Sequence, residues 1–417
     1  MRWHSLAATL AALPAVLAAS EQLVLGKGHG KASSVDSSGA SADAPAYRKD
    51  LVDLHRNLVS IESISGNENE VGNYLLDYLE KRGFTAEAQV VAPNDNTPKG
   101  STRFNVIAWP GKSENPKPKV LVSSHIDVVP PHIEYSIDDG ELTKETMIKG
   151  RGTVDAKGSV ASMVIAVEEL MASGDVQDDD VMLVFVVDEE VGGGGMAAFS
   201  ELVARKEEKE PRSWHSAIFG EPTGNDLVCG HKGALFCDIS VQGIASHSGY
   251  PWLGKSANEL MIHAMSKVLA ADLGSSELYG NTTVNVGRFD GGVAANVVPE
   301  KAVVKMGVRV AIGPEESGHL IVKKKIEDLL AEVDDGFEMK CTPGYGTVDC
   351  KCDVDGFEVT TVNYGTDVPN LKGNFTRYLY GPGTILVAHG SSENLTVGDL
   401  ETAVAGYQTL ILHALDS

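Results

Sequence analysis

From residue 51 the chain alternates between two periods. Leu51, Leu54 and Leu58 recur at helical spacing. So do Val71, Leu75 and Leu79, with Asn67 suited to capping the helix ahead of them and Gly83 stopping it behind. Short apolar runs follow at 120–122, 181–187, 217–219 and 385–388. The second is almost wholly apolar, as expected of a strand buried on both faces. Between the first two runs, Val160, Met163, Val164 and Val167 form the stripe of a helix over 159–171, and a last helix is predicted over 400–415. Strands alternating with helices predict an α/β domain with a doubly wound, mainly parallel sheet.

The rhythm changes between 232 and 343. A strand at 235–241, a helix at 257–273, strands at 282–289 and 302–312, a helix at 319–333 and a strand at 337–341 give the order βαββαβ. That is the split βαβ pattern of a ferredoxin-like unit, here inserted so that the α/β domain falls into two parts, 47–231 and 344–417. Ahead of both, the stretch 26–46 is rich in Gly and Ser and nearly free of apolar residues, so 21–46 is expected to be a disordered leader. Residues 1–20 combine Arg2, a short apolar stretch over 6–17 and the small residues Ala18, Ala19 and Ser20, the layout of a secretory signal.

Composition narrows the function classes. The 417 residues exceed what one core usually fills, roughly 250–300. An apolar fraction of 42% with 22% charged residues is that of a soluble globular protein. A formal charge of -23 repels phosphate backbones and argues against nucleic-acid partners. No segment approaches ~20 consecutive apolar residues, so no membrane span is expected. The cysteines Cys229, Cys237, Cys341, Cys350 and Cys352 are odd in number, which leaves at least one without an intrachain partner, and the pairing of the rest is open. Asn281, Asn374 and Asn394 each begin an Asn-x-Thr sequon, a glycan acceptor in a secreted chain.

The chemistry-bearing residues fall at strand ends. His125, the pair Glu189 and Glu190, Glu221 and His389 each follow one of the four apolar runs, and Asp155 lies in the glycine-flanked loop 150–158 before a helix. The carboxyl edge of an open α/β sheet is where ligands bind. Two imidazoles and three carboxylates suit zinc or a similar divalent ion. Five ligands are too many for one catalytic zinc with an open position, whereas two ions about 3.5–4 Å apart, sharing a bridging carboxylate, can activate a water and polarise a carbonyl. Asp127 shares a face with His125 on an extended segment and is placed to accept the second imidazole N–H. Adjacent on a regular strand, Glu189 and Glu190 cannot both reach one ion, so one carboxylate is left over as a general base. The run 192–195 lacks the spacing and lysine of a phosphate loop and is expected to be a flexible turn.

These residues sit in recognisable motifs. His125-Ile126-Asp127-Val128-Val129-Pro130 and Gly150-Arg151-Gly152-Thr153-Val154-Asp155-Ala156-Lys157-Gly158 resemble signatures of a di-zinc exopeptidase family, peptidase family M20. Asp188-Glu189-Glu190, Gly220-Glu221-Pro222-Thr223, Gly365-Thr366-Asp367 and the segment 388–400 extend the resemblance, which is strongest to secreted fungal carboxypeptidase-like members. The family also holds aminoacylases, acetylornithine deacetylase and succinyl-diaminopimelate desuccinylase. The resemblance implies two Zn2+ per chain, with Co2+ or Mn2+ as substitutes. Asp155 would bridge them, His125 and Glu221 would hold one, and Glu190 and His389 the other. Glu189 would be the general base and Asp127 the residue that orients its neighbours. In the inserted domain, a lid, His247 would stabilise the oxyanion, and Asn296 and Arg309 would grip the substrate, helped by Gly365 and Thr366. The lid either dimerises, giving a homodimer, or closes within one chain. The implied activity is hydrolysis of a peptide bond beside a free carboxylate. An aminoacylase acting on N-acyl amino acids would use the same residues, and a metal-binding protein on a retired hydrolase scaffold is the non-enzymatic alternative.

Overall fold

The computed structural model describes residues 44–417, so the expected signal and all but the last residues of the expected leader lie outside the described residues. The apolar runs become strands of a six-stranded sheet, in the order Phe84–Val91, Arg103–Pro110, Val181–Val186, Val120–His125, Ser216–Gly220 and Thr376–Tyr380. The last four run parallel and the first two pair antiparallel at one edge. The expected doubly wound sheet is therefore present, with an antiparallel hairpin that the apolar pattern does not reveal.

Alternation along the strands explains why these runs are so apolar. Val120 and Val122 enter one core with Val181, Leu183 and Phe185, while Leu121, Val184 and Val186 enter another on the opposite face. The helices Arg48–Ser60, Lys157–Ser173 and Val397–Leu415 cover the first face. Met196 and Phe199 of Gly194–Glu207 cover the second. Among the described residues no helix is long and apolar enough to cross a membrane.

Three local expectations need correcting. The run 385–388 is a turn, not a strand, and Leu386 is 88% exposed. The sheet edge it was expected to occupy is taken by Tyr378, Leu379 and Tyr380, whose bulk fills the core instead. Asn67 caps nothing, since the helix starts at Asn69 with Glu68 as its N-terminal neighbour. The glycine run is not a flexible turn. Gly193 and Gly195 are buried, and the run leads directly into the helix Gly194–Glu207. A Cβ on Gly195 would stand 2.2 Å from the Val187 carbonyl oxygen, so the glycine is there to let strand and helix touch.

The inserted unit is a four-stranded antiparallel sheet in the order Thr283–Gly291, Lys301–Val310, Gly233–Gln242 and Phe337–Cys341. The helices Ala257–Ala270 and Gly318–Ala331 pack on it around a core of its own, in the βαββαβ order read from the sequence. Cys237 pairs with Cys341 across adjacent strands, Cys229 pairs with Cys352, and Cys350 is free. The chain crosses into this unit at Lys232–Gly233 and returns through Tyr345 and Gly346. The two crossings are in contact. Tyr345 N donates to Ala234 O at 3.1 Å, and a Cβ on Gly233 would stand 2.1 Å from Tyr345 O and 2.4 Å from Gly346 O. Backbone oxygens cannot rotate away as a side chain could. Gly233→Ala is therefore expected to lower stability by about 1–3 kcal/mol, measured by urea unfolding; unchanged stability would show that the crossings are loosely packed.

Candidate metal centre

Two buried ion pairs shape the carboxyl edge of the sheet. The first joins segments far apart in the chain. Arg151 Nη1 donates to Glu393 Oε2 at 2.6 Å, and both side chains are almost fully buried. The other Glu393 oxygen accepts the backbone N–H groups of Val154 (3.0 Å) and Asp155 (3.2 Å). The same guanidinium donates to the carbonyls of His389 (3.3 Å) and Gly390 (3.2 Å). One pair thus fixes the loop carrying Asp155 against the loop carrying His389. Below it, Lys157 Nζ donates to Leu58 O (2.7 Å) and Ile61 O (2.9 Å), carbonyls at the end of the first helix. Burial pulls this amine down to about 7.

The second pair shapes the glutamate turn. Asp188 has φ 72°, a left-handed conformation that costs a non-glycine residue about 1–3 kcal/mol. Its Oδ1 accepts from Arg103 Nη2 (2.8 Å) and Asn94 Nδ2 (2.7 Å), and Arg103 also pairs with buried Glu68. After this kink, Glu189 and Glu190 lie on a single 3-10 turn rather than on a strand. Their backbone N–H groups both donate to the Asp127 carboxylate, at 3.1 and 3.3 Å, and Ser65 Oγ donates to it at 2.6 Å.

Asp127 therefore acts differently from expectation. The hydrogen bond from His125 Nδ1 goes to the Asp127 backbone carbonyl, at 2.9 Å, while the carboxylate is 3.6 Å away and is spent on the glutamate turn. The carbonyl sets the tautomer, leaving His125 Nε2 to face the site.

The predicted ligands converge. His125 Nε2 lies 3.0 Å from Asp155 Oδ1, and His389 Nε2 lies 3.2 Å from Asp155 Oδ2 and 3.0 Å from Glu190 Oε2. Asp155 so presents one oxygen to each imidazole. His125, Glu189 and Glu221 bring ligand atoms within 4.8 Å of one another, as do His125, Asp155 and Glu190. His389, like Asp188, is left-handed (φ 62°), and its backbone is held by Arg151.

Charge makes this cluster a candidate cation site. Burial, then the negative charge of Glu221, raises Glu189 well above the usual carboxylate range. Burial raises Glu221, with Asp155 adding to it against His125, and burial and Asp155 raise Glu190. Asp155 itself stays below the usual range, because the two imidazoles outweigh its burial. Hydrogen bonds from His389 to the Asp155 and Glu190 carboxylates raise it to about 10. Burial works against protonating His125, but Asp127 and Asp155 outweigh it and raise this group well above its ordinary value. Four acids crowded in low dielectric, offset only in part by the two imidazoles, are a donor set that divalent cations fit.

Other predicted residues stand apart. Thr366 is buried, its hydroxyl donating to His231 Nε2 (3.0 Å) and accepting from Val368 N (3.1 Å), so its side chain is engaged within the fold. Gly365 faces the Tyr345 hydroxyl and the Arg309 guanidinium. Arg309 makes no ion pair with any described residue and borders a cavity beside Pro222 and Thr223. His247 and Asn296 are exposed on adjoining segments of the lid, where His247 bridges Val297 and Ser248 N donates to Asn296 O. Neither makes a polar contact with the cluster. Asn281 and Asn374 are exposed, whereas Asn394 is half-buried with its amide on Ser392 O.

The sequence reading missed Asp367, although it lies in a quoted motif. It is buried, one oxygen accepts from Asn370 Nδ2 at 2.8 Å, and the other has no partner. Burial raises it to about 7, against the pull of Asn370 and His125. Arg151, Glu393, Arg103 and Glu68 were also missed.

Known proteins resemble this chain along most of its length. Residues 229–338 match the peptidase dimerisation domain of M20 enzymes, and residues 105–216 match peptidase family M28. A Peptidase M20 domain-containing protein of Sordaria macrospora is 53% identical over 401 residues, covering 91% of this chain and 88% of the relative. A probable carboxypeptidase of Aspergillus oryzae is 46% identical over 395 residues, covering 90% of each. Among solved structures, an M20 family metallo-carboxypeptidase from Sulfolobus solfataricus superposes with a TM-score of 0.67 at 17% identity, covering 88% of this chain and 100% of that one.

Metal uptake is expected to release protons, because imidazole binds metal only when neutral and His389 stays protonated up to about pH 10 without it. Affinity should rise by about tenfold per pH unit for each imidazolium proton displaced below that pH. Calorimetry in buffers of different ionisation enthalpy measures the release. A pH-independent affinity would contradict the raised imidazole values.

Proposed function

The chain belongs to the M20 peptidase family, and from that premise we propose that it is a secreted carboxypeptidase working with two zinc ions. His125, Asp155 and Glu221 would hold one ion, and Asp155, Glu190 and His389 the other. The observation that carries this reading is Asp155, which offers one carboxylate oxygen toward each imidazole, the geometry a bridging ligand needs. When bound, the two ions would supply Lewis acidity to the scissile carbonyl and to the attacking water, chemistry that cobalt or manganese can also provide.

The remaining steps belong to the chain's own residues. Glu189 takes the proton of the attacking water and returns it to the leaving amine. Asp127 holds Glu189 in place through its backbone N–H. Arg309, which forms no ion pair among the described residues, takes the substrate's terminal carboxylate through two parallel hydrogen bonds. His247 Nδ1 accepts from Gly249 N at 3.0 Å, which leaves Nε2–H to stabilise the oxyanion.

His247 is exposed and out of contact with the cluster, so its target is assigned to a second copy of the chain. Supporting this, Ile244, Tyr250, Leu253 and Val293 are exposed apolar residues around it, and Trp252 is 72% exposed. A grouped apolar surface of this kind suits an interface. Secretion is supported by two disulfides, which persist in oxidising compartments. Exposed Asn281 and Asn374 are then the better glycan acceptors, and Asn394 the poorest.

Glu189→Gln is expected to keep about two zinc ions per chain, measured by elemental analysis, while kcat on N-blocked dipeptides falls roughly 10²- to 10⁴-fold. Full activity in that variant would remove Glu189 from its role. Turnover of N-acetyl amino acids but of no dipeptide would make the enzyme an aminoacylase. A zinc-loaded chain inactive on both would leave only the binding protein.

Light scattering is expected to find two chains per particle, and Trp252→Asp to separate them with loss of kcat. A fully active monomer would return the oxyanion role to a residue within one chain.

A further inference from the structure

Beside the metal cluster lies a cavity of about 470 Å³. One wall is Pro222 and Thr223, directly after Glu221; another is the turn 384–386, leading to His389; Arg309 and the segment 360–364 complete it. A carboxylate alone would fill little of this volume, which is in the range of small-molecule sites, roughly 300–1,000 Å³. Its walls are continuous along the chain with Glu221 and His389, two of the residues assigned to the metals. A substrate cut there, with its terminal carboxylate on Arg309, must lodge the side chain of its last residue in this space.

The lining decides what that side chain can be. Arg309 is the only charged residue in it. This guanidinium stands 5.7 Å from the Phe236 ring and has no carboxylate partner among the described residues, in a chain with 58 acidic and 35 basic residues. The rest of the lining is uncharged: Val362, Tyr364, Ile385 and Leu386 supply its larger apolar groups, and threonines and Asn363 lie between them. Tyr364 is a fixed wall, its hydroxyl donating to Pro222 O at 3.0 Å. Leu386, by contrast, holds an apolar side chain in water at the mouth of the cavity, where covering it is favourable.

A basic side chain would meet the Arg309 charge and find no acid. An acidic one would compete with the terminal carboxylate for the same guanidinium and approach the buried acids around Glu221. We propose that this cavity is the side-chain site for the C-terminal residue of the substrate, that it selects an uncharged apolar residue, and that Leu386 sets the preference. The proposal rests on the carboxypeptidase reading above.

The test uses the full zinc-loaded enzyme and N-benzyloxycarbonyl-Ala-X substrates with X as Leu, Phe, Asp or Lys. Leu and Phe are expected to exceed Asp and Lys in kcat/KM by about tenfold or more. Leu386→Asp should lower the Leu-to-Lys ratio by about tenfold, mainly through KM, and Leu386→Met should keep the wild-type order. Because Leu386 is exposed, neither change disturbs the core. A flat profile across X, or a ratio unmoved in Leu386→Asp, overturns the proposal while leaving the carboxypeptidase reading intact. Cleavage of none of the four overturns both.

Discussion

The carboxyl edge of this sheet depends on one buried ion pair. Arg151 and Glu393 are 242 positions apart and are not among the assigned metal ligands, yet they lock together the loops that present Asp155 and His389. Neither loop has a strand or helix to hold its shape at those residues. Apolar packing is non-directional and could bring the loops close without aiming them. A guanidinium and a carboxylate with both sides occupied can aim them, since each hydrogen bond fixes a direction. Burying the charges is costly, and removing one partner of such a pair typically costs about 3–5 kcal/mol. The Arg103–Glu68–Asp188 network does the same for the glutamate turn on the other side. Two arginines buried behind the site set the positions of acids that face into it.

Those acids are mutually destabilising. Glu189, Glu190, Glu221 and Asp367 are all held above the ordinary carboxylate range, burial being the leading cause in each. A folded chain accepts such crowding where a compensating charge is available. Two imidazolium groups supply part of it. The arrangement of the others, around a carboxylate aimed at both rings, is what divalent cations would neutralise more fully. Arg309 is the complementary case: a cation with no acid partner among the described residues, in a chain rich in acid. An unsatisfied cluster of one sign beside an unsatisfied group of the other describes a site arranged for ligands, and it orders the proposed substrate along the line between them.

How much of this was legible in the sequence follows from the range of each interaction. Strands buried on both faces leave continuous apolar runs, so the sheet and the residues just after it could be read, and the inserted unit showed as a change of rhythm. The hairpin 84–91 and 103–110 was not read: the edge strand 84–91 is only partly buried, and the fully buried strand 103–110 carries Arg103 and Asn105, polar residues satisfied inside the fold that break its apolar run. The run 385–388 misled because apolarity alone does not tell a buried strand from an apolar turn lining a cavity. The helix Gly194–Glu207 was hidden by glycines whose purpose is close contact, not flexibility. Thr366 and Asp127 were placed by motif, but which atom of each does the work depends on neighbours such as His231 and Ser65, from distant parts of the chain. The Arg151–Glu393 pair has no local signature at all.

The two units divide the proposed work unevenly, and the division has a physical basis. Arg309 lies on the strand Lys301–Val310, whose end is tied to the sheet domain through paired crossings at Gly233 and Tyr345. It therefore reaches the cavity beside the metal cluster within one chain. His247 lies at the far side of the same unit, where strand Gly233–Gln242 has already left the domain it started from. No rearrangement of side chains brings an exposed imidazole at that end to a buried cluster at the other. Either the whole unit rotates about its crossings or another copy supplies the group. The crossings are packed backbone to backbone at Gly233, which resists rotation there, while the apolar residues around His247 favour being covered. Under the proposed reading, metal binding and carboxylate recognition are complete in a single chain, and oxyanion stabilisation is the step that waits for assembly.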